Sequence, residues 1–163
     1  MAQAAPAAGE GERWFEDFTP GLVIETPGAT ISETQILDFA FRWDPQPFHI
    51  DALAAAESPY GGLIASGFHT LLVAFRLYIV AARCGRSSIG SPGIDRLRWL
   101  KPVRPGDTIS LRAEVRSARP SGSKPDRGFV ALAAEANRRR PEAPEPEPVL
   151  DFEWTQMFLK RPA

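Results

Sequence analysis

The segment WDPQPFHID, Trp43 to Asp51, sets an aspartate and a histidine five residues apart, with Pro45 and Pro47 between them. Proline fixes its own φ and biases the residue before it away from helix, so the stretch is expected to be a stiffened bend rather than a regular helix or central strand. A carboxylate and an imidazole at the two ends of such a bend can converge on one small molecule. A water held between Asp44 and His49 would give a proton to one group while the other handles a second proton. Two other readings fit the same residues. Asp44 can cap a turn while His49 is a packed loop residue, the common fate of an isolated Asp/His pair. Asp44, His49 and Asp51 can also be read as metal ligands, but a fourth ligand is missing.

A second place for chemistry is the junction Ser66-Gly67, at the start of SGFHTLLVAFRLYIVAARCG. A helix N-terminus offers unpaired backbone N–H groups and a partial positive charge. Glycine there lets a ligand approach the backbone closely, which suits a developing oxyanion. A plain structural reading is that Ser66 caps the helix and Gly67 permits the turn.

The surrounding pattern sets the expected frame. LVIETPGATIS (22–32) reads as extended, and Ser32 with Gln35 has capping-box spacing for a helix over ETQILDFAF. Asp51 is placed to cap ALAAAE, which SPYGG closes. The long helix should run from a Ser66 cap to a Gly85 cap, and its apolar composition implies burial on every side. Four strand-like segments follow, at 93–103, 107–119, 127–138 and 149–161, with PGD and SGSKPDRG as hairpin connections. The alternating Pro/Glu run within 138–149 is expected to be a mobile extended loop. One buried helix with a later antiparallel sheet is an α+β arrangement, the sheet wrapping the helix.

The chain has 163 residues, 44% hydrophobic and 24% charged, with a formal net charge of -1. That is ample for one globular domain. The charge balance excludes the basic footprint of a nucleic-acid binder and the polybasic segment of a membrane-surface protein. The most apolar run, 71–82, is too short to span a bilayer and carries Arg76. A single cysteine, Cys84, rules out an internal disulfide and fits a cytoplasmic location. Residues 1–12 read as a disordered tail ahead of a single domain over 13–163.

WDPQPFHIDALAAAESPYGGLIASGFHT resembles the signature of the MaoC-like dehydratases, the (R)-specific enoyl-CoA hydratases, which have a hotdog fold. Asp44, Pro47, His49, Asp51, Gly61, Gly62, Ile64, Ala65 and Gly67 match that pattern in order and spacing. FEDFTPGLVIETPGATISETQILDFA and LKPVRPGDTISLRAEV resemble the flanking strand–helix and strand–turn–strand, so the likeness runs from about Trp14 to Lys160.

The resemblance implies that Asp44 and His49 are the catalytic pair and that the Gly67 N–H faces the thioester oxygen as it gains enolate character. Ser66 would fix the pair or the helix start. Trp43, Gln46, Phe48, Gly62 and Ile64 would contact substrate. Trp43 stands where the family has glycine, and Gln46 where it has asparagine. The implied reaction is reversible hydration of an enoyl-CoA to a 3-hydroxyacyl-CoA, with coenzyme A as part of the substrate and no metal or redox cofactor. The implied assembly is a homodimer or a dimer of dimers.

A thioesterase on the same fold is disfavoured, because Ser66 to Arg83 contains no Asp or Glu. A non-catalytic acyl-CoA-binding hotdog subunit is kept open by Trp43 and Gln46. His69 is expected to be a helix histidine satisfied by a neighbour. Arg76 needs an ion partner or a route to water. Arg98, Lys101 and Arg104, near a strand end, are candidates to meet coenzyme A phosphates or simply a solvated face.

Overall fold

The computed structural model describes residues 11–162. In chain order a 3-10 turn at Phe15–Asp17 precedes β1 (Val23–Glu25), β2 (Ala29–Thr30), α1 (Glu33–Trp43), α2 (Pro47–Ile50), α3 (Ala52–Glu57), α4 (Gly67–Ala82), β3 (Gly93–Trp99), β4 (Thr108–Pro120), β5 (Arg127–Arg140) and β6 (Ala143–Leu159). Among the described residues no helix is long and apolar enough to cross a membrane.

The helix starts are where the side chains demand them. Ser32 Oγ accepts from the Gln35 N–H while Gln35 accepts from the Ser32 N–H, a complete capping box. The Asp51 carboxylate accepts from the Leu53 and Ala54 N–H groups, and Ser66 Oγ accepts from the Phe68 N–H. Pro47 does not prevent helix. It occupies the first position of the one-turn α2, where its missing N–H costs nothing, so His49 sits on a helical turn rather than in a plain bend. At the far end of α4 the cap is Arg83, in the left-handed region at φ 49, two residues before the expected Gly85.

The strands form one antiparallel sheet in the order β1-β4-β5-β6-β3, with β2 beside β1 on β4. Side chains alternate along β4 and β5, and Ile109, Leu111, Ala113 and Val115 with Val130, Leu132, Ala134 and Ala136 face inward. This face packs on α4, where Tyr78 meets Trp154 edge-on with ring centroids 5.0 Å apart. SGSKPDRG does close a hairpin between β4 and β5. PGD does not: β3 crosses to the other end of the sheet and pairs with β6, Leu97 opposite Phe152.

Two further expectations change. The Pro/Glu run is strand, not loop: β5 continues to Arg140 and β6 begins at Ala143, with Arg138 opposite Glu147. Pro144, Pro146 and Pro148 lie on the part of β6 beyond the reach of β3, where the strand is an edge and tolerates a missing donor. Arg138 and Lys101 both pair with Glu147, and Arg138 and Arg140 both pair with the fully buried Asp107.

Helix α4 is not buried all round. Phe68, Leu72, Arg76 and Val80 recur every fourth residue and form an exposed stripe. Arg76 has its route to water there. Of the tail expected at 1–12, residues 1–10 lie outside the described residues, and Glu12 is held, its carboxylate accepting from the Arg86 backbone N–H and Nε at 2.5 and 2.6 Å.

Candidate active site

Asp44 is the residue at which α1 ends, its N–H still bonded to the Ala40 carbonyl. His49 lies in α2 and Ser66 caps α4, so three helix ends meet. Asp44 Oδ2 accepts from Ser66 Oγ at 2.6 Å, and Oδ1 accepts from Gln46 Nε2 at 2.8 Å. His49 Nε2 lies 3.4 Å from Asp44 Oδ2. His49 Nδ1 is 2.8 Å from the Ile64 carbonyl oxygen. A carbonyl only accepts, so Nδ1 carries a proton, and in the neutral form of the ring the lone pair is at Nε2. The imidazole is buried and the Asp44 side chain nearly so.

Burial opposes charge on Asp44. The hydrogen bonds from Ser66 and Gln46, with the neighbouring His49, outweigh that opposition and hold its carboxyl below the ordinary aspartate value. With the ring in its neutral form, Oδ2 and Nε2 are two acceptors side by side, slightly too far apart for a direct hydrogen bond. A water on the cleft side of the pair, within reach of both atoms, can donate to each and keep its own lone pairs free.

The gap opens into a cleft of about 460 Å³. Gln46, Phe48, Tyr60, Ile64, Ala65, Gly67, Phe68 and Thr70 line one side, and Trp99 to Val103 with Val149 line the other. Gly67 is the first residue of α4, and a Cβ built on it would lie 2.4 Å from the Trp99 indole nitrogen. Only glycine lets the indole pack this closely on the helix start, whose first N–H groups have no partner within the helix. The second wall depends on a β-bulge. Leu150 pairs with Ala136 and Pro148 with Asn137, so Val149 is the extra residue. Its carbonyl, freed from the ladder, accepts from the Leu100 N–H at 2.8 Å and so anchors this wall.

Asp44, His49, Ser66 and Gly67 therefore come together, with Gln46, Phe48 and Ile64 around them. Trp43 and Gly62 do not. Trp43, the last residue of α1, is 75% exposed and does not line the cleft. Gly62, at φ 152, serves the turn after α3, where a Cβ would approach Arg104 to 3.2 Å. Arg104 donates to the Tyr60 carbonyl across that turn. Asp51 is spent on the α3 cap, which removes it from any ligand set with Asp44 and His49. His69 is buried and stacks on Phe39 at 4.8 Å, but its Nδ1 has no partner among the described residues and it does not line the cleft.

Sequence reasoning missed the second wall. Trp99, Leu100, Pro102, Val103 and Val149 carry no chemical signal of their own, and neither do Tyr60 and Phe68. The strand–turn segment containing most of that wall was visible, but not the side of the molecule to which it folds.

A sheet wrapped on one helix, with an aspartate and a histidine meeting at the helix start, defines a hotdog-fold protein. The chain belongs to the MaoC-like dehydratase family: the MaoC like domain family matches residues 17–132. The crystal structure of a MaoC-like dehydratase from Rhodospirillum rubrum is similar, with TM-score 0.81 and 31% identity over 93% of this chain and 99% of that one. The uncharacterised Bacillus subtilis protein YdeM is 33% identical over 106 residues, 65% of this chain and 75% of its own. A 3-hydroxybutyryl-CoA dehydratase of Methylorubrum extorquens is 30% identical over 106 residues, 63% of each chain.

Proposed function

We propose that the protein is a hydro-lyase that reversibly adds water to a trans-2-enoyl-CoA, giving a 3-hydroxyacyl-CoA. The observation that carries this reading is the pairing of the His49 Nε2 lone pair with Asp44 Oδ2 at 3.4 Å, the imidazole oriented by the Ile64 carbonyl. Family membership and the likeness to a 3-hydroxybutyryl-CoA dehydratase support the reaction class.

Water donates one hydrogen bond to Asp44 and one to His49. Its oxygen bonds C3 of the enoyl chain as its proton passes to Nε2. The C2–C3 π electrons move into the thioester, whose oxygen gains charge beside the Gly67 N–H at the positive end of α4. The imidazolium, stabilised by Asp44, then returns the proton to C2 and the neutral ring is restored. One water has been added and no redox change has occurred. Because one group takes and returns the proton, hydrogen and hydroxyl add to the same face. The reaction so written uses no metal or redox cofactor.

The working assembly in this reading is a homodimer or a dimer of dimers. Strand β3 has one unpaired edge, and the adjacent exposed stripe on α4 carries Phe68, Leu72 and Val80.

The test is loss of conjugated-thioester absorbance when the purified protein meets a panel of trans-2-enoyl-CoAs of increasing chain length. Turnover supports the reading and begins to define the acyl group. Tight binding of the esters without turnover would replace it with an acyl-CoA-binding subunit.

A further inference from the structure

Lys101 is the one lysine or arginine among the described residues that line the cleft. The cleft is graded. Its floor holds Asp44 and the buried His49, its walls are aromatic and aliphatic, and the Lys101 side chain is 51% exposed. Lys101 therefore marks the mouth. The backbone N–H groups of Leu100 and Lys101 both point at the Val149 carbonyl, which fixes where the lysine stem leaves the wall.

The ammonium is paired with Glu147, which projects from the Pro/Glu-rich part of β6. Glu147 is itself gripped by Arg138 Nε and Nη2 at 2.7 and 2.6 Å, and Arg138 also donates to the Pro102 carbonyl in the cleft wall. Asp107 lies beneath, between Arg138 and Arg140. This cluster joins Lys101, Arg138 and Arg140 to Glu147 and Asp107. Arg138 and Arg140 are committed to buried Asp107, whereas Lys101 has only the half-exposed Glu147. Lys101 is the cation most readily released to a ligand. Arg104 is occupied by the Tyr60 carbonyl, and Arg98 is exposed on β3 away from the cleft.

Building on the proposed hydratase reading, we infer that Lys101 is a specificity-determining residue that binds a phosphate of the substrate's carrier at the cleft mouth, in competition with Glu147. A thioester whose reactive carbons reach the Asp44–His49 floor carries its pantetheine arm outward past the apolar walls. The first strong anion on that arm meets the ammonium. Glu147 then acts as a resting counter-ion. It keeps Lys101 placed when the cleft is empty and sets the threshold an anion must exceed to displace it.

The experiment measures binding by calorimetry, so it does not depend on turnover. The ligands are the saturated esters butyryl-CoA, butyryl-phosphopantetheine and butyryl-pantetheine. The proteins are the native chain, Lys101→Ala, Lys101→Arg and Glu147→Gln. The expected result is that Lys101→Ala weakens butyryl-CoA about tenfold, the low end for a charge-assisted hydrogen bond at a solvated site. It should weaken the uncharged pantetheine ester far less. Lys101→Arg should restore most of the affinity, and Glu147→Gln should strengthen butyryl-CoA several-fold. If the phosphopantetheine ester shows the same loss as butyryl-CoA, the phosphate next to the pantetheine is the one bound; if it does not, the phosphates of the nucleotide end are. Equal weakening of all three esters, or no weakening of any, would overturn the inference and leave Lys101 a wall residue. Failure of the native chain to bind any of the three would instead remove the hydratase reading itself.

Discussion

His49 Nε2 and Asp44 Oδ2 lie 3.4 Å apart, near contact yet beyond direct hydrogen-bond length, while the Ile64 carbonyl holds a proton on the other ring nitrogen. A structural ion pair would close that gap. Here Ser66 and Gln46 already satisfy Asp44, and Ile64 already satisfies His49, so each group retains one unsatisfied lone pair toward the cleft.

Removing either member of the pair should abolish proton transfer and leave the fold. Asp44→Asn and His49→Ala are each expected to lower kcat/KM for the best enoyl-CoA by roughly 10²–10⁴-fold. Far-UV circular dichroism should be unchanged. Loss of less than tenfold in both variants would remove them from the chemistry.

Ser66→Ala tests how Asp44 is kept ionised. Asp44 is depressed below its ordinary value, so it stays charged down to a pH under the usual aspartate range. Its stabilising contribution is present above that range and is lost as pH falls through the depressed folded value. Losing the Ser66 hydrogen bond should move the acid limb of the pH–rate profile upward. The same change removes the α4 cap and should cost about 1 kcal/mol of stability. An unmoved acid limb would show that Ser66 acts only as a cap.

Gly67→Ala puts a Cβ into the Trp99 indole. Trp99 is nearly half exposed and can swing out, so stability should fall by less than about 1–3 kcal/mol. The displaced indole should nonetheless disturb the wall beside the Gly67 N–H, and activity should drop more than substrate binding. Gly67→Ala with Trp99→Leu should recover the stability. A single variant with native turnover would mean the close approach has no role in the site.

His69 should make the fold acid-sensitive. Burial lowers its pKa, so in the folded state it resists the proton that the unfolded chain accepts near the usual histidine value. Stability is therefore complete above that value and falls as pH drops through it. His69→Phe keeps a ring against Phe39 and should flatten Tm between pH 7 and pH 5. If the variant melts with the same pH slope, another group is responsible.

Leu72→Glu places a charge in the middle of the exposed α4 stripe. In sedimentation velocity the native chain is expected as a dimer or larger and the variant as a monomer. Two identical monomeric profiles would dismiss the stripe as an interface.

Much of the site could be read from the chain alone because its parts are local. The Ser32–Gln35 box, the Asp51 cap and the Ser66 cap each connect a side chain to backbone N–H groups two or three residues on. Asp44 and His49 lie five residues apart, too close for the fold to separate them widely. The alternation of β4 and β5 is also local, since a period of two is a property of any strand with one buried face.

Tertiary structure alone decided the rest. The turn at Pro105-Gly106-Asp107 reads like a hairpin, yet β3 pairs with β6, whose central residues lie more than fifty positions away in the chain. That pairing carries Trp99 and Lys101 to the cleft and leaves β3 at one edge of the sheet. The Pro/Glu run looks like loop by composition, but opposite Arg138 and past the end of β3 its prolines sit on an edge and Glu147 finds two cations. Caps and alternation depend on neighbours along the chain, so sequence determines them; strand order and the second wall depend on which distant edges bury the most surface and satisfy the most backbone groups, and only the folded sheet resolves that competition.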